Sequence, residues 1–350
     1  MRQAIRGRWA QGARGWQSRV LARHYQLTAR LAAAAGVIGT GLLASITVQA
    51  ADAYPIKPVS VVVPISTGAT VDIVARLFSD RLSQRLGQTF VVQNRPGAGG
   101  TIAAQTVAKA PADGYTIMLV NSQHAINPSL YTRLPYDTVH DFAAIMLVAQ
   151  SPALVVVNPV LGVHTLREFI DLARARPGYI NYGSAGIGTA THLAGALFAN
   201  RAGVELVHVP YKAMSDLTTD VVTGRTQVTF VPTAFLLPHI REGRLLALAV
   251  SSAQPLHSPI DVPSAAAAGL PGYDFATWYG FIANAQTPRA ILVRLAMEIR
   301  HVSALADVRT ALAAQGLESR DTELAEFDAL IRADLEKIAP LMKSIGAQPE

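Results

Sequence analysis

The hydrophobic pattern along the chain alternates between two periods. Short apolar runs rich in β-branched residues, typical of buried strands, are separated by stretches with helical spacing. The first series is strand Val59–Val63, helix 71–86, strand Phe90–Val92, helix 101–109 and strand Thr116–Val120. This alternation predicts an α/β fold whose sheets are mainly parallel.

After Pro152 the alternation starts again. The second series is Leu154–Val157, a helix from Thr165 to Arg176, Ile180–Tyr182, a helix from Thr189 to Arg201, Glu205–Val209, a helix near 215–224, Val228–Val231 and Leu246–Val250. Thr165 is expected to cap its helix, and Gly203 is expected to end the helix before it. Two series predict two lobes, because a chain of about 300 residues usually exceeds one hydrophobic core.

No flexible linker separates the two series, so strands are expected to cross between the lobes near 150–156 and 275–283. We expect residues 51–153 and 277–350 to form lobe 1 and residues 154–276 to form lobe 2. Two further helices, from Pro288 to Ser303 and from Thr322 to Ile345, are expected to pack on the outside of lobe 1.

Residues 1–50 have the pattern of a targeting segment. Seven arginines and no acidic residue precede a small-apolar run from Leu31 to about Val48, which ends in Val48-Gln49-Ala50. This pattern predicts a signal peptide, cleavage after Ala50 and export to the periplasm. The alternative is a membrane anchor, but the run is only about 18 residues long and rich in Ala and Gly.

Removing this segment changes the charge of the protein. The whole chain has 30 basic and 24 acidic residues, a net +6, and the segment holds 7 basic and none acidic, which leaves 23 − 24 = −1. The high pI therefore gives no reason to expect a nucleic-acid partner. The chain has no cysteine, which excludes disulfides and thiolate ligands. The nine histidines are scattered, and neither a metal site nor a cofactor is predicted.

The first candidate binding stretch runs from Pro64 to Asp72, directly after a strand and at the start of a helix. Free backbone N–H groups at such a position bind anions. The candidate ligand-binding residues here are Ser66, Thr67, Gly68, Ala69, Thr70 and Asp72. In the alternative interpretation this is an ordinary loop, where Asp72 compensates the helix dipole and pairs with Arg76.

The second stretch, Tyr182–Leu193, repeats this arrangement of strand, small-residue loop and helix. Its candidate ligand-binding residues are Ser184, Ala185, Gly186, Gly188, Thr189 and His192. The glycine spacing is not that of a dinucleotide site, and Ser184 is not in a hydrolase elbow. A structural hydrogen bond is an equally good explanation for His192.

Three further features complete the candidate set. Ser122 is included as a ligand-binding residue, and Asp216 either contacts an amino group of the ligand or caps the following helix. The glycine-rich turn Asn94–Thr101 is interpreted mainly as structure that lets a helix start pack closely. Because 64–75 and 182–200 contain no Lys or Arg, an anion there would be bound by amides, hydroxyls and water.

Several motifs together resemble the tripartite tricarboxylate transporter solute receptors, also called the Bug family. They are Tyr54-Pro55-Ile56-Lys57-Pro58, Asn94-Arg95-Pro96-Gly97-Ala98-Gly99-Gly100, Asp113-Gly114-Tyr115-Thr116, Leu134-Pro135-Tyr136-Asp137, Val209-Pro210-Tyr211-Lys212 and Trp278-Tyr279-Gly280. The resemblance covers 54–350. It implies a type II periplasmic-binding fold, in which two α/β lobes close on a ligand and both loops hold a carboxylate, partly through water.

Two positions depart from the pattern of that family. Ser66-Thr67-Gly68-Ala69 stands where a Pro-Gly-Gly turn is usual, and a positive φ at Ala69 would force the loop to rearrange. Ala213-Met214-Ser215-Asp216 stands where a glycine and a proline are commoner.

The resemblance implies a monomeric receptor, not an enzyme, that delivers a small carboxylate, such as an organic acid or an amino acid, to permease subunits of a tripartite transporter. The alternative partner is a sensor kinase.

Overall fold

The computed structural model describes residues 54–256 and 260–344. The candidate signal peptide, residues 1–50, lies outside these ranges. In chain order the elements are β1 (Val59–Val63), α1 (Thr70–Leu86), β2 (Phe90–Asn94), α2 (Thr101–Ala108), β3 (Thr116–Asn121), α3 (Gln123–Leu130), β4 (Phe142–Val157), α4 (Leu166–Ala175), β5 (Asn181–Ser184), α5 (Ala190–Ala202), β6 (Val207–Pro210), α6 (Met214–Val222), β7 (Val228–Pro232), α7 (Thr233–Arg241), β8 (Leu246–Val250), β9 (Ala276–Asn284), α8 (Arg289–Ser303), α9 (Ala306–Ala314), β10 (Glu318–Glu323) and α10 (Leu324–Ser344).

The described strands form two sheets that share β4. In the first sheet the order is β2-β1-β3-β9-β4-β10, with β1 parallel to β2 and β3, and with antiparallel pairs from β3 to β9, β9 to β4 and β4 to β10. In the second the order is β8-β4-β7-β5-β6, with β5 parallel to β6 and β7. In each sheet four strands run in one direction, so the fold is α/β with two lobes and mainly parallel strands.

The chain passes from one sheet to the other inside a single strand. Of the 16 residues of β4, those up to Pro152 pair with β9, while those from Ala153 pair with β7 and β8. Pro152 has no N–H to donate. The next amide, that of Ala153, donates to Ser251 Oγ at 2.8 Å, and the Ser251 hydroxyl donates to the carbonyl of Phe275. A buried side chain therefore supplies hydrogen bonds at the crossing.

The long helix α10 lies over this region. Phe327 of α10 packs edge-on against Trp278 of β9, with 5.4 Å between the ring centroids. A Cβ on Gly280 would come within 2.3 Å of the Phe327 ring, so this glycine lets the helix approach the sheet. Helix α8 packs on α1 and β4, but α10 contacts α3 and also α5 of the second lobe. Both helices therefore pack on elements assigned to lobe 1, as expected, and α10 makes an additional contact with α5.

The sequence signals at two helix ends are confirmed. Thr165 is the N-cap of α4, where its side chain accepts a hydrogen bond from the Glu168 amide. Gly203 is the C-cap of α5, with a φ of 61° that favours glycine. Within residues 54–256 and 260–344, no helix combines the length and the apolar character that a membrane crossing requires.

Candidate functional site

Loop 1, residues 64–69, connects β1 to α1 and contains most of the first candidate set. Gly68 has a φ of +89°, whereas Ala69, the N-cap of α1, has a φ of −75°. The backbone turn that needs glycine is thus at Gly68, where glycine is present. The side chain of Ala69 fits its extended conformation, so this departure does not force the loop to rearrange.

Loop 1 is held by an ionic bracket, which comprises Asp72, Arg76 and Asn94. Asp72 Oδ2 accepts hydrogen bonds from the Gly68 amide at 2.9 Å and from Arg76 Nε at 3.0 Å, and Oδ1 accepts from Asn94 Nδ2 at 2.8 Å. Asn94 Nδ2 also donates to the carbonyl of Ile65 at 3.0 Å. Both carboxylate oxygens of this buried aspartate are engaged, which favours the structural interpretation of Asp72.

The bracket determines the charge of Asp72. Burial alone would raise the pKa of its carboxyl, but the hydrogen bonds from Arg76, the Gly68 amide and Asn94 outweigh burial and lower that pKa. The carboxylate is therefore ionised at neutral pH and neutralised by Arg76. Loop 1 consequently presents its amides without a net charge.

The other residues of the first candidate set differ in their exposure and in their hydrogen bonds. Ser66, Thr67 and Gly68 are exposed, and Thr67 Oγ1 donates to Asn94 Oδ1 over 3.3 Å. Thr70, in the first turn of α1, forms a side-chain hydrogen bond with the otherwise buried Tyr279. The hydroxyls that remain accessible to a ligand are therefore those of Ser66 and Thr67.

A cavity of ≈ 330 Å³ lies beside loop 1. It is lined by residues from 64–71, by the glycine-rich turn and by Asn121 and Gln123 on either side of Ser122. A Cβ on Gly100 would lie 2.8 Å from Pro64 Cβ, so glycine permits the close packing of the turn. Within the described ranges, the buried Ser122 hydroxyl has no hydrogen-bond partner.

Loop 2, residues 185–189, connects β5 to α5. Thr189 is the N-cap of α5, and its hydroxyl donates to the carbonyl of Gly186 at 2.8 Å. The Ala185 amide donates to Thr191 Oγ1 at 2.9 Å. The buried hydroxyl of Ser184, the last residue of β5, accepts from the Gly186 amide at 3.1 Å. Hydrogen bonds between residues close in sequence thus hold loop 2 to the end of β5 and the start of α5.

Two histidines, His192 and His208, hydrogen-bond to loop 2 and to the residue before it, and we name them the histidine bracket. The Gly188 amide donates to His192 Nδ1 at 3.0 Å, and Ser184 Oγ lies 2.6 Å from His208 Nε2. The two imidazole rings stack with centroids 3.8 Å apart and planes 9° from parallel. His208 is absent from the candidate set, although the register of the parallel strands sets it opposite Tyr182. The Nδ1 atom of His192 therefore makes a structural hydrogen bond, as in the alternative interpretation of this residue.

Both rings of the bracket are uncharged at neutral pH. Burial, with a smaller contribution from neighbouring His208, lowers the pKa of His192 to about 4. Burial also lowers the pKa of His208. The Gly188 hydrogen bond requires Nδ1 of His192 to carry no proton, which agrees with the neutral form.

Loop 2 also contacts the other lobe. Gly188 packs so closely against Leu130 of α3 that a Cβ at this position would lie 2.3 Å from Leu130 Cδ2. Its φ of +73° likewise favours glycine. On the other side, α3 contacts the glycine-rich turn: Asn127 Nδ2 donates to the carbonyl of Gly99 at 3.1 Å. Helix α3 thus contacts both loop 2 and the glycine-rich turn that lines the cavity beside loop 1.

Of the two roles considered for Asp216, contact with an amino group of the ligand or capping of the following helix, the structure contradicts the helix cap. The N-cap of α6 is Ala213, whose side chain makes no capping hydrogen bond, and Asp216 lies exposed in the first turn. At that position its carboxylate interacts favourably with the helix dipole. Among the described residues, no group of three His, Cys, Asp or Glu side chains is arranged to hold a metal ion.

Comparisons with known proteins identify relatives. The family model described as tripartite tricarboxylate transporter family receptor matches residues 74–347. The chain is 32% identical to Rhodopseudomonas palustris Rpa4515, solved with adipate, at a TM-score of 0.72 over 85% of this chain and 100% of that one. The chain is 28% identical to the periplasmic binding protein BugD, at a TM-score of 0.69 over 85% of this chain and 100% of that one. It is 27% identical to MatC (Rpa3494) from R. palustris, solved with bound malate, at a TM-score of 0.66 over 82% of this chain and 99% of that one.

Proposed function

Because the chain belongs to the tripartite tricarboxylate transporter receptor family, we propose that it captures a small carboxylate between loop 1 and loop 2 for the permease subunits of such a transporter. The family consists of solute-binding receptors, so the chain is a receptor and not an enzyme.

One observation carries the proposal: each lobe contains the same strand, loop and helix unit. Loop 1 precedes the 17-residue helix α1, and loop 2 precedes the 13-residue helix α5. The first amides of a helix have no partner within the helix, and the dipole gives this end a partial positive charge. Two such ends, one in each lobe, suit a ligand with negatively charged oxygens.

The relatives support the ligand class. Adipate and malate, which are bound in two of the related structures, are both small dicarboxylates. Loops 1 and 2 contain no Lys or Arg, so amides, hydroxyls and bridging waters would bind the carboxylate groups. Dicarboxylates are therefore the first ligands to test.

The working motion in this proposal is closure of the lobes. A ligand that bridges the two loops stabilises the closed arrangement by its higher affinity for it. We assign residues 51–153 and 277–350 to lobe 1 and residues 154–276 to lobe 2. The protein would be exported to the periplasm after cleavage at Ala50 and would act there as a monomer.

Thermal unfolding of the purified protein tests the proposal. A ligand that binds only the folded state adds about 2.7 kcal/mol when present at 100 times its Kd. We expect adipate, malate or a related acid to raise the melting temperature, while the neutral diamide of adipate does not. If the diamide raises it equally, or if no acid in a broad panel raises it, carboxylate binding is wrong.

Variants at loop 1 locate the binding site. Ser66→Ala and Thr67→Ala each remove an exposed hydroxyl from the loop and should reduce the shift caused by the ligand. Thr310→Ala is the matched control, because Thr310 is exposed on α9, where its hydroxyl donates to the carbonyl of Ala306. Equal shifts in all three variants would exclude the hydroxyls of loop 1 from the site.

A further inference from the structure

The histidine bracket differs from ordinary packing because it hydrogen-bonds to Gly188 within loop 2 and to Ser184 directly before it. His192, on α5, accepts the hydrogen bond of the Gly188 amide at 3.0 Å. His208, on β6, lies 2.6 Å from the hydroxyl of Ser184. These two contacts hold loop 2 close to each of its ends, and loop 2 leads into the first amides of α5, which are the proposed ligand-binding groups. Neither histidine belongs to the loop itself.

Stacking couples the two contacts. The rings are nearly parallel with centroids 3.8 Å apart, and the Tyr182 ring on β5 stacks on His208 at 4.8 Å. Phe230 on β7 packs edge-on against Tyr182 at 5.9 Å. A displacement of one imidazole ring therefore disturbs the other, and with it the opposite end of the loop.

The chemistry of the bracket requires uncharged rings. The Gly188 amide can donate to His192 Nδ1 only while that nitrogen has a free lone pair. Two protonated imidazoles stacked at this distance would also repel each other strongly in a buried site. Tyr182, a titratable side chain that stacks on the pair, is neutral at neutral pH, and burial raises the pKa of its hydroxyl further.

We propose that His192 and His208 are positioning residues, whose uncharged stacked rings hold loop 2 in the conformation that binds the ligand. This inference rests on the proposed function. In this proposal the affinity for the ligand depends on two side chains, from α5 and β6, that hold the loop in place. The hydrogen-bonding nitrogen of each ring, and not its volume alone, is the part that matters.

Two pairs of variants separate these contributions. His192→Asn keeps an acceptor where Nδ1 lies, and His208→Gln keeps a polar atom where Nε2 lies. His192→Leu and His208→Leu keep bulk but lose the hydrogen bond. With adipate and malate as probes in calorimetric titration at neutral pH, we expect the leucine variants to bind at least tenfold more weakly. The asparagine and glutamine variants should stay within about threefold of the native protein.

The control is His301→Leu, which makes the same change on the exposed surface of α8 and should leave the Kd unchanged. All titrations are made far below each melting temperature, so that only folded protein is compared. A merely structural role would lower the melting temperature of the leucine variants and leave their Kd at the native value. That result overturns the inference, while the proposed function stands.

A measurement on the unaltered protein is independent of binding and of how the variants fold. The imidazole ¹⁵N shifts should report an unprotonated Nδ1 and a protonated Nε2 on His192 at neutral pH, with a hydrogen-bonded Gly188 amide. A proton on Nδ1 overturns the inference even if no carboxylate binds. If the tautomer is as expected but neither probe nor any other acid binds, the proposed function fails and this role for the bracket fails with it.

Discussion

Loops 1 and 2 occupy equivalent positions in the two lobes but are supported by different chemistry. Loop 1 is held by the ionic bracket, in which a buried carboxylate bonds to a guanidinium group and to two amide groups. Loop 2 is held by two stacked, uncharged histidines. Both solutions leave the helix amides free of a neighbouring net charge. An uncharged anion site can thus be built either from paired charges or from none.

The two brackets also differ in their contact with water. The side chain of Arg76 is 47% exposed, while the carboxylate it binds is 2% exposed. In the histidine bracket His192 is buried and His208 is half-buried. Because Asp72 stays ionised down to below its usual pKa of 3.8, whereas the histidines begin to lose stability below their usual pKa of 6.5, loop 1 should withstand acid better than loop 2.

The largest expected effect comes from acidification, which should separate the loops. His192 has a folded pKa of about 4, below the usual value near 6.5, so its neutral form contributes stability above pH 6.5. That contribution is lost as the pH falls from 6.5 towards 4, and it is on the order of 3 kcal/mol. The pKa of Asp72 is lowered from 3.8, so the ionic bracket loses its contribution only below that pH.

Amide hydrogen exchange measures this difference residue by residue. After correction for the intrinsic pH dependence of exchange, protection of the Gly188 amide should fall about a hundredfold between pH 6.5 and 4. Protection of the Gly68 amide should stay nearly constant. Because the buried His124 also has a pKa lowered to about 4, global unfolding is monitored in parallel. Equal loss at Gly188 and Gly68 would contradict the difference between the brackets.

The second effect is the loss of the ionic bracket in Asp72→Ala. This change removes the acceptor of the Gly68 amide and leaves Arg76 and Asn94 without it, so we expect a loss of about 2 kcal/mol in the free energy of unfolding. Denaturant unfolding measures it. Asp328→Ala on α10 is the matched control: Asp328 pairs with Arg332 at the same spacing of four residues, but it is 38% exposed. There we expect a change below about 0.5 kcal/mol, and similar losses in both variants would mean that the bracket adds nothing beyond a surface ion pair.

The smallest effect is expected for Ala69→Gly. The φ of −75° at Ala69 suits any residue, and the advantage of glycine over alanine at an N-cap opposes its entropy cost, so the free energy of unfolding should change by less than about 0.5 kcal/mol. Gly68→Ala is the comparison, because a φ of +89° should cost about 1 kcal/mol or more. A Kd for the ligand that is tenfold tighter in Ala69→Gly would mean that Ala69 restrains loop 1 after all.

Much of the fold follows from the hydrophobic pattern. The predicted bounds of β1 and β8 coincide with the observed ones, and most other predicted elements differ by one to three residues at an end. The polar strand β10, Glu-Ser-Arg-Asp-Thr-Glu, has no apolar alternation, and it forms because β4 provides a ladder for it. Helix α3 contains Pro128 and α7 contains Pro238. Because proline usually breaks helices, the sequence pattern does not predict either helix.

The candidate site was only partly accessible to sequence reasoning. The pattern of strand, small-residue loop and helix predicts where both loops lie. It does not reveal that Asp72 and Asn94, from separate elements, hold loop 1 together. Nor does it pair His192 with His208, because a contact between a helix and a strand depends on how α5 packs on its sheet. Long-range side-chain partners of this kind are set by tertiary packing.

The shared strand β4 has a mechanical consequence. Its ladder lacks one donor at Pro152, and the hydroxyl of Ser251 bridges the next residue to Phe275. Because Pro152 donates no hydrogen bond, we expect β4 to bend more easily here than at its regularly paired residues. Loop 1 follows a strand of the first sheet and loop 2 follows a strand of the second, so we expect a rotation of the two sheets about this residue to change the distance between the loops.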